Sequence, residues 1–334
     1  VNDSGILTSR RFKSPSAFLI PMASNVWFGV HVPPEGRDFE EMKKLCTGAE
    51  RLGYDLFTVT DHFMNMANPN GPGNHPLECW TTLAGLAAVT NRIRLGPLVG
   101  CYAYRRPTVL TKMATTVDIV SGGRLVFGIG AGWHEAEFNG FLGRFPPAGT
   151  RLRGLEEAVE ICKGMFTSER TTYTGKQFKV EDVLNSPLPV QRPPPIMVGG
   201  GGERRTLKIA ARHADISHFF AGDLPTLEQK LRVLRKHCET VNRDFDGIRK
   251  GTSASVILGR NDGETESKLR KAAKARGVPV EDLRKRMGPA FGTPEKVTQN
   301  LEAYIDKGVG LITLSFYDVE DMALFAEEII PRLK

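Results

Sequence analysis

The residues in this chain that could do chemistry fall in short clusters, each directly behind an apolar, β-type run. His31 closes the run 27–32, and Asp61-His62 follows 55–60. Gly100-Cys101-Tyr102 follow 92–99, and Gly130-Ala131-Gly132-Trp133-His134-Glu135 end 124–130. Gly199, Gly200, Gly201 and Gly202 follow 195–198; Phe219-Phe220 and Ser315-Phe316-Tyr317 close two further runs. A histidine near neutral pH can give, take or position a proton, or ligate a metal. No matching set of His and carboxylates accompanies His62, so no metal is expected. Four successive glycines before a helix starting near Arg204 bare backbone N–H groups at a helix N-terminus, an anion site suited to phosphate. Their spacing fits neither a dinucleotide fingerprint nor a P-loop, and a tight turn is the plainer alternative. Gly130 to Gly132 resemble part of a dinucleotide loop without its later acidic residue, and Trp133 can equally wall a planar pocket. His75, His213 and His237 read as surface or packing residues. Nucleophile-elbow, Cys-His and paired-carboxylate patterns are missing, so nothing favours hydrolysis.

These clusters need a scaffold that gathers strand ends. Apolar residues at three- and four-residue spacing predict helices over 39–53, 78–90, 107–120, 151–166, 203–213, 226–242, 294–307 and 320–332. Strand-like runs at 27–32, 55–60, 92–99, 124–130, 195–198, 215–220, 251–258 and 311–316 alternate with them. A hairpin over 171–180 and a proline-rich stretch interrupt the rhythm within 167–194, and a basic helical insertion follows 258. Eight βα units predict one closed parallel (β/α)8 TIM barrel with insertions, a doubly wound open sheet being the rival. In such a barrel the functional side chains lie at the C-terminal strand ends, where every cluster above falls.

The 334 residues, 40% hydrophobic and 25% charged, suffice for a large core and exclude a disordered chain, a collagen or a coiled coil. No apolar run is long enough to span a membrane. Five scattered cysteines (46, 79, 101, 162, 238) read as reduced thiols of a cytoplasmic protein. The net charge of +7 has a local source, because residues 265–286 hold eight Lys/Arg against three acids. That segment reads as a solvated helical face or as a rim attracting an anionic ligand. Without aromatic interleaving it gives no support to nucleic-acid binding. Arg10-Arg11 superficially suggest an export signal, but the apolar stretch after them is short and bounded by Pro15 and Pro21. Residues 1–21 are expected to be loosely ordered and dispensable, with the globular domain running over 22–334.

Taken together, Asp61-His62-Phe63, Arg92 to Gly96 with Arg106-Pro107, Ser121 to Arg124, Gly130 to Phe138, and Val198 to Leu207 resemble the bacterial-luciferase-like superfamily, and more narrowly its coenzyme F420-dependent oxidoreductases. His237-Cys238, Asp244 to Asp246 and Gly292 to Glu295 extend the likeness, which runs from Trp27 to the C-terminus. The resemblance implies a flavin-type ring across the barrel mouth, backed by a non-prolyl cis peptide within Leu98-Val99-Gly100. It makes His62 the catalytic proton donor or ring-positioning group, with Asp61 a cofactor contact. Gly130, Ala131 and Gly132 then line the ring, and Gly199 to Gly202 hold its phosphate. Sugar-phosphate dehydrogenases of the family carry a catalytic glutamate where this chain has Trp133, and Glu135 and Glu137 lie out of register. A more apolar substrate pocket walled by His31, Trp133, Phe219, Phe220 and Phe316 is therefore expected, with the 265–286 segment attracting the coenzyme's anionic tail. Hydride transfer between F420 and a small organic substrate is the leading reading. A reduced-FMN monooxygenase is the alternative, and a non-catalytic deazaflavin-binding protein the third. The family likeness also implies a homodimer.

Overall fold

The computed structural model describes residues 26–66, 68, 69, 71 and 73–334, so the expectation for residues 1–21 lies outside the described residues. The chain runs β1 (Trp27–His31), α1 (Phe39–Arg51), β2 (Leu56–Val59), α2 (Cys79–Val89), β3 (Arg94–Pro97), β4 (Gly100–Cys101), α3 (Pro107–Ser121) and β5 (Phe127–Gly130). It continues through α4 (Glu135–Leu142), α5 (Ala148–Thr167), β6 (Arg170–Thr174), β7 (Lys179–Leu184), β8 (Ile196–Gly199), α6 (Thr206–His213), β9 (Ile216–His218) and α7 (Leu224–Thr240). It ends with β10 (Arg249–Leu258), α8 (Asp262–Arg276), α9 (Val280–Arg286), β11 (Phe291–Gly292), α10 (Pro294–Asp306), β12 (Val309–Phe316), α11 (Glu320–Glu328) and α12 (Ile330–Leu333).

Parallel pairing follows the order β3-β2-β1-β12-β10-β9-β8-β5-β4. Leu95 N donates to Arg124 O (3.0 Å) and Val126 N to Leu95 O (2.8 Å), which brings β3 against the approach to β5 and nearly closes the ring. β3 and β4 are two pieces of one staff, so the barrel has the eight positions read from the sequence, and the open-sheet rival falls away. Between the two pieces the Leu98–Val99 peptide is cis, within the expected tripeptide.

Local chemistry explains the element boundaries. Asp38 and Glu41 form a reciprocal capping box at α1, and Asp223, Asn261 and Thr293 cap α7, α8 and α10. The expected helix over 203–213 starts only at Thr206, because residues 203–205 make a turn. The expected 320–332 helix is broken between α11 and α12, where Pro331 offers no N–H. Helix α4 was not anticipated at all, since its glycine- and histidine-rich approach reads as loop.

One continuous apolar cluster fills the space between barrel and helices, including Phe28, Phe57, Trp80, Phe127, Phe166 and Phe325. A second, inside the barrel, stacks Leu56, Val126, Met197, Ile216 and Leu311, with Trp27, Leu98 and Val99 packed on it. The guanidinium carbons of Arg94 and Arg249 lie 4.3 and 4.1 Å from the Trp27 ring centre, so the lower end is plugged. The interior opens toward the C-terminal strand ends.

Candidate active site

A cavity of about 540 Å³ occupies that open end, a size usual for small-molecule and cofactor sites. His31, Asp61, His62, Leu98, Val99, Gly100, Gly130, Ala131, Gly132, Trp133, Gly199, Gly200, Gly201, Phe219 and Phe220, all expected from the sequence, line it. Two expected residues do not. Phe316 turns outward to pack edge-on against Tyr54 and Phe325, and faces a second cavity that meets the first at His31. Gly202 lies past the cavity wall, its carbonyl accepting from Leu207 N. The structure adds Cys101, Tyr104, Thr206, His218 and Ser253 to the wall.

A polar cluster surrounds His62 at the cavity wall. Its Nδ1 lies 2.7 Å from Glu137 Oε2, and Glu137 is fully buried on α4. The other Glu137 oxygen accepts from Phe63 N (2.6 Å) and Met64 N (2.9 Å), while the Tyr104 hydroxyl donates to Oε2. Burial by itself raises a carboxyl, but the hydrogen bonds from His62, Tyr104 and the Met64 N–H prevail and hold Glu137 at about 2. A carboxylate only accepts, so His62 carries its hydrogen on Nδ1, and Nε2 is the nitrogen left to serve the cavity. Trp133 and His134 meet the imidazole edge-on, with ring centres 5.6 and 5.7 Å away, and fix its plane.

Asp61, expected as a cofactor contact, lines the cavity. Its carboxylate is buried and fully engaged, accepting from Cys101 N (2.9 Å) and from both terminal nitrogens of Arg105 (2.9 and 3.0 Å). Arg105 also donates to Glu78, the N-cap of α2. Asp61 therefore borders the cavity as an anchor for β4 and the bulge before it.

The glycines serve that bulge as well. A Cβ on Gly199 would come within 2.7 Å of both Val99 methyls, and one on Gly130 within 2.7 Å of Val99 Cγ2. Gly200 adopts φ +119°, open essentially to glycine alone. A Cβ on Gly202 would approach Thr206 Oγ1 to 2.7 Å, whereas one on Gly201 would meet only ordinary contacts. The N–H groups of Gly201 and Gly202 have no acceptor among the described residues and remain available to an anion beside α6.

The barrel-side wall carries two uncharged histidines. His31 Nδ1 pairs with Thr58 Oγ1 (2.9 Å), and burial, helped by the nearby His62, lowers its pKa to about 4. His218 Nε2 pairs with Thr313 Oγ1 (3.1 Å), and burial followed by the His31 charge lowers it likewise to about 4. Opposite them stand two solvent-facing aromatics, Trp133 (62% exposed) and Phe220 (66% exposed). Large apolar surface left bare at a cavity mouth marks a place for a ligand.

The basic segment does not reach this cavity. Lys268 binds Asp321 (2.6 Å) and Glu264 (3.3 Å), Arg284 binds Glu266 (2.6 Å), and Lys271 lies 3.9 Å from Asp318. Lys268, Arg270, Lys271 and Arg284 are thus paired with acids, and no residue of α8 or α9 lines the main cavity. Arg276 alone of this segment lines the second cavity, which meets the first at His31.

Glu137, which holds His62, and Tyr104 and His218, which line the cavity, are the candidate-site residues that sequence reasoning did not select. Glu137 would have emerged had α4 been recognised, because adjacent Glu137 and Phe138 form its buried face. His218 ends a barrel strand just as His31 does, and that position was the available signal.

The chain belongs to the luciferase-like monooxygenase family, whose sequence profile matches residues 22–310. It is 27% identical to the pyrimidine monooxygenase RutA of Acinetobacter baylyi over 346 aligned positions, covering 94% of this chain and 93% of that protein. The RutA of Variovorax paradoxus is 25% identical, with 94% and 93% covered. In fold it matches the EDTA monooxygenase of Chelativorans (TM-score 0.80, 17% identity, 92% and 93% covered). It also matches the coenzyme F420-dependent tetrahydromethanopterin reductase of Methanopyrus kandleri (TM-score 0.75, 18% identity, 93% and 100% covered). The protein is an oxidoreductase with a luciferase-like barrel. Among the described residues no helix is long and apolar enough to cross a membrane.

Proposed function

We propose that the chain is a reduced-flavin-dependent monooxygenase that inserts oxygen into a small organic molecule. The observation that carries this reading is the His62–Glu137 couple, aimed at a cavity whose floor is the Val99 bulge and whose far end offers the bare N–H group of Gly201, with that of Gly202 just beyond the wall. That cradle fits a planar ring with a phosphate tail: Gly130 and Gly199 leave room for the Val99 side chain under the ring position, and a Cβ at either place would collide with it. A reduced flavin, when bound, would supply the electrons for splitting dioxygen. His62 Nε2 holds or moves a proton at the ring edge, while Glu137 keeps the imidazole in one tautomer and orientation. Trp133 and Phe220 cover the mouth and exclude water from the reacting face. His31 and His218, both neutral, present hydrogen-bonding edges to the substrate without adding charge.

Relatives named as pyrimidine monooxygenases match nearly the whole chain, which favours oxygenation over the F420-dependent hydride transfer suggested by the motifs. F420 chemistry is the second reading, supported by the same His62 motif and by the F420-dependent enzymes among the fold neighbours. One experiment separates the two: the protein is titrated with reduced FMN and with reduced F420, and turnover is followed with and without dioxygen. Binding of FMN with substrate-dependent oxygen uptake supports the proposal, whereas F420 turnover indifferent to oxygen overturns it. A second copy of the chain is the proposed partner. Light scattering reads the mass of the resulting dimer.

A further inference from the structure

The second cavity, of about 380 Å³, lies along the same strand faces as the first. On β10, Ser253 lines the main cavity, and Ser255, two residues on and therefore on the same face, lines the second. His31 borders both. Ser255 pairs with Ser315 of β12, and β1 runs beside β12 with Val30 opposite Leu314. His31, Ser315 and Ser255 therefore form a polar row across three neighbouring strand ends. The two cavities are consecutive steps up one side of the barrel mouth, with His31 at the step.

Beyond that row the lining divides by chemistry. Val32, Leu45, Phe316 and Met322 supply an apolar wall, and Val319 stands 61% exposed beside it. Arg37 and Arg276 supply the cations, and both also border an adjoining cavity of about 260 Å³. The other cations of that adjoining cavity are paired with its acids, Lys268 with Asp321 (2.6 Å) and Lys271 with Asp318 (3.9 Å). Arg37 is held through one terminal nitrogen by the carbonyls of Pro33 (2.9 Å) and Glu35 (3.4 Å). The Arg276 guanidinium lies 4.4 Å from the Tyr317 ring centre. These contacts place the two guanidiniums without cancelling their charge, and neither has an ion-pair partner among the described residues. Glu35 is the one carboxylate that lines the second cavity, so the cations there are in excess.

We infer that the second cavity is the far half of the substrate site and takes the carboxylate of an elongated organic acid with an apolar body, whose other end passes His31 to the reacting face. Arg37 and Arg276 are its specificity-determining residues. The apolar wall holds the body by burial, and the planar guanidiniums match a carboxylate but not its neutral amide. An uncharged His31 at the step lets an apolar chain pass without stripping water from a charge. The inference deepens the proposed monooxygenase reading and rests on it for which end of the acid reacts.

The test is isothermal titration of the full chain at low ionic strength with octanoate and with its neutral counterpart, octanamide. Octanoate is expected to bind at least about tenfold more tightly than octanamide, and the preference should shrink as salt rises. The Arg37→Gln/Arg276→Gln double variant, at two exposed positions, should lose that preference while octanamide binding stays unchanged. In the wild type, affinity should climb through butanoate, hexanoate and octanoate. In His31→Phe, checked for an unchanged melting temperature, the climb should stop short of octanoate, because the larger ring fills the step. No saturable octanoate binding, equal binding of acid and amide, or a preference that survives the double variant overturns the subsite. A climb left intact by His31→Phe overturns its link to the main cavity. Failure of reduced FMN to bind while the acid preference persists strikes the flavin reading and leaves the subsite standing.

Discussion

Replacing Glu137 with glutamine preserves size while removing the charge that gathers four donors. In the folded chain this carboxyl sits at about 2 against an ordinary 4.5. That depression corresponds to about 3 kcal/mol of folded-state stability at neutral pH. The amide also turns an NH2 toward at least one buried donor, adding about 1–2 kcal/mol. Glu137→Gln should therefore cost about 3–5 kcal/mol in urea denaturation at pH 7, a large part of a typical domain's total. Because the folded-state value is depressed, the ionic contribution is complete above the unfolded value of 4.5 and is lost as pH falls toward 2. The gap between wild type and variant should narrow over that window, leaving only the part due to the mismatched amide. A gap below about 1 kcal/mol at pH 7, or one that stays constant from pH 6 to 3, would refute the view that a charged, multiply hydrogen-bonded Glu137 organises the site.

Other substitutions probe separate parts of the account. Gly199→Ala should destabilise by about 1–3 kcal/mol through collision with the Val99 methyls; combining it with Val99→Ala should recover part of the loss in a double-mutant cycle, and strict additivity would count against the bulge-packing argument. Lys268→Ala leaves the buried Asp321 carboxylate without its cation and should cost about 2–4 kcal/mol while leaving flavin affinity unchanged; weakened flavin binding at constant stability would restore a ligand role to the basic helix. His62→Ala should lower turnover by about 10²–10⁴ with flavin affinity little altered, and undiminished turnover would favour a mere binding protein. His218 is buried and sits at about 4 rather than 6.5, so it must take up a proton at a loss on acidification. Stability should fall as pH drops from 6.5 to 4, by up to about 3 kcal/mol from this residue, and His218→Gln should flatten that slope.

The barrel was legible because alternation of strand and helix is a chain-wide pattern that survives errors of a few residues at each end. Fifteen of the seventeen expected site residues line the cavity, since strand ends are where a parallel barrel exposes side chains. What could not be read was how those residues share labour. Asp61 looks like a ligand contact in the sequence, but only the fold shows Arg105 folded back across it. Glu137 was dismissed because it was counted along a loop, and a helical turn places it beneath His62. Phe316 belongs to a strand end like the others, yet its packing on Tyr54 and Phe325 takes it out of the main cavity. Charge could be located in the sequence but not paired, because the acids that meet Lys268 and Lys271 are Asp321 and Asp318, beyond the next strand.

The central claim is that a phosphate-bearing tricyclic redox ring lies in the main cavity against Trp133, and the direct measurement is an anaerobic titration of the full chain with reduced FMN, following tryptophan fluorescence. Trp27 is in the barrel's lower plug and Trp80 in the core, so Trp133 is the tryptophan in reach of the ligand. Saturable quenching that disappears in Trp133→Phe, weakens severely in Gly200→Val, and is followed by substrate-dependent oxygen uptake on admitting air is the predicted result. Quenching that survives both substitutions, or no saturable binding at all, would contradict it.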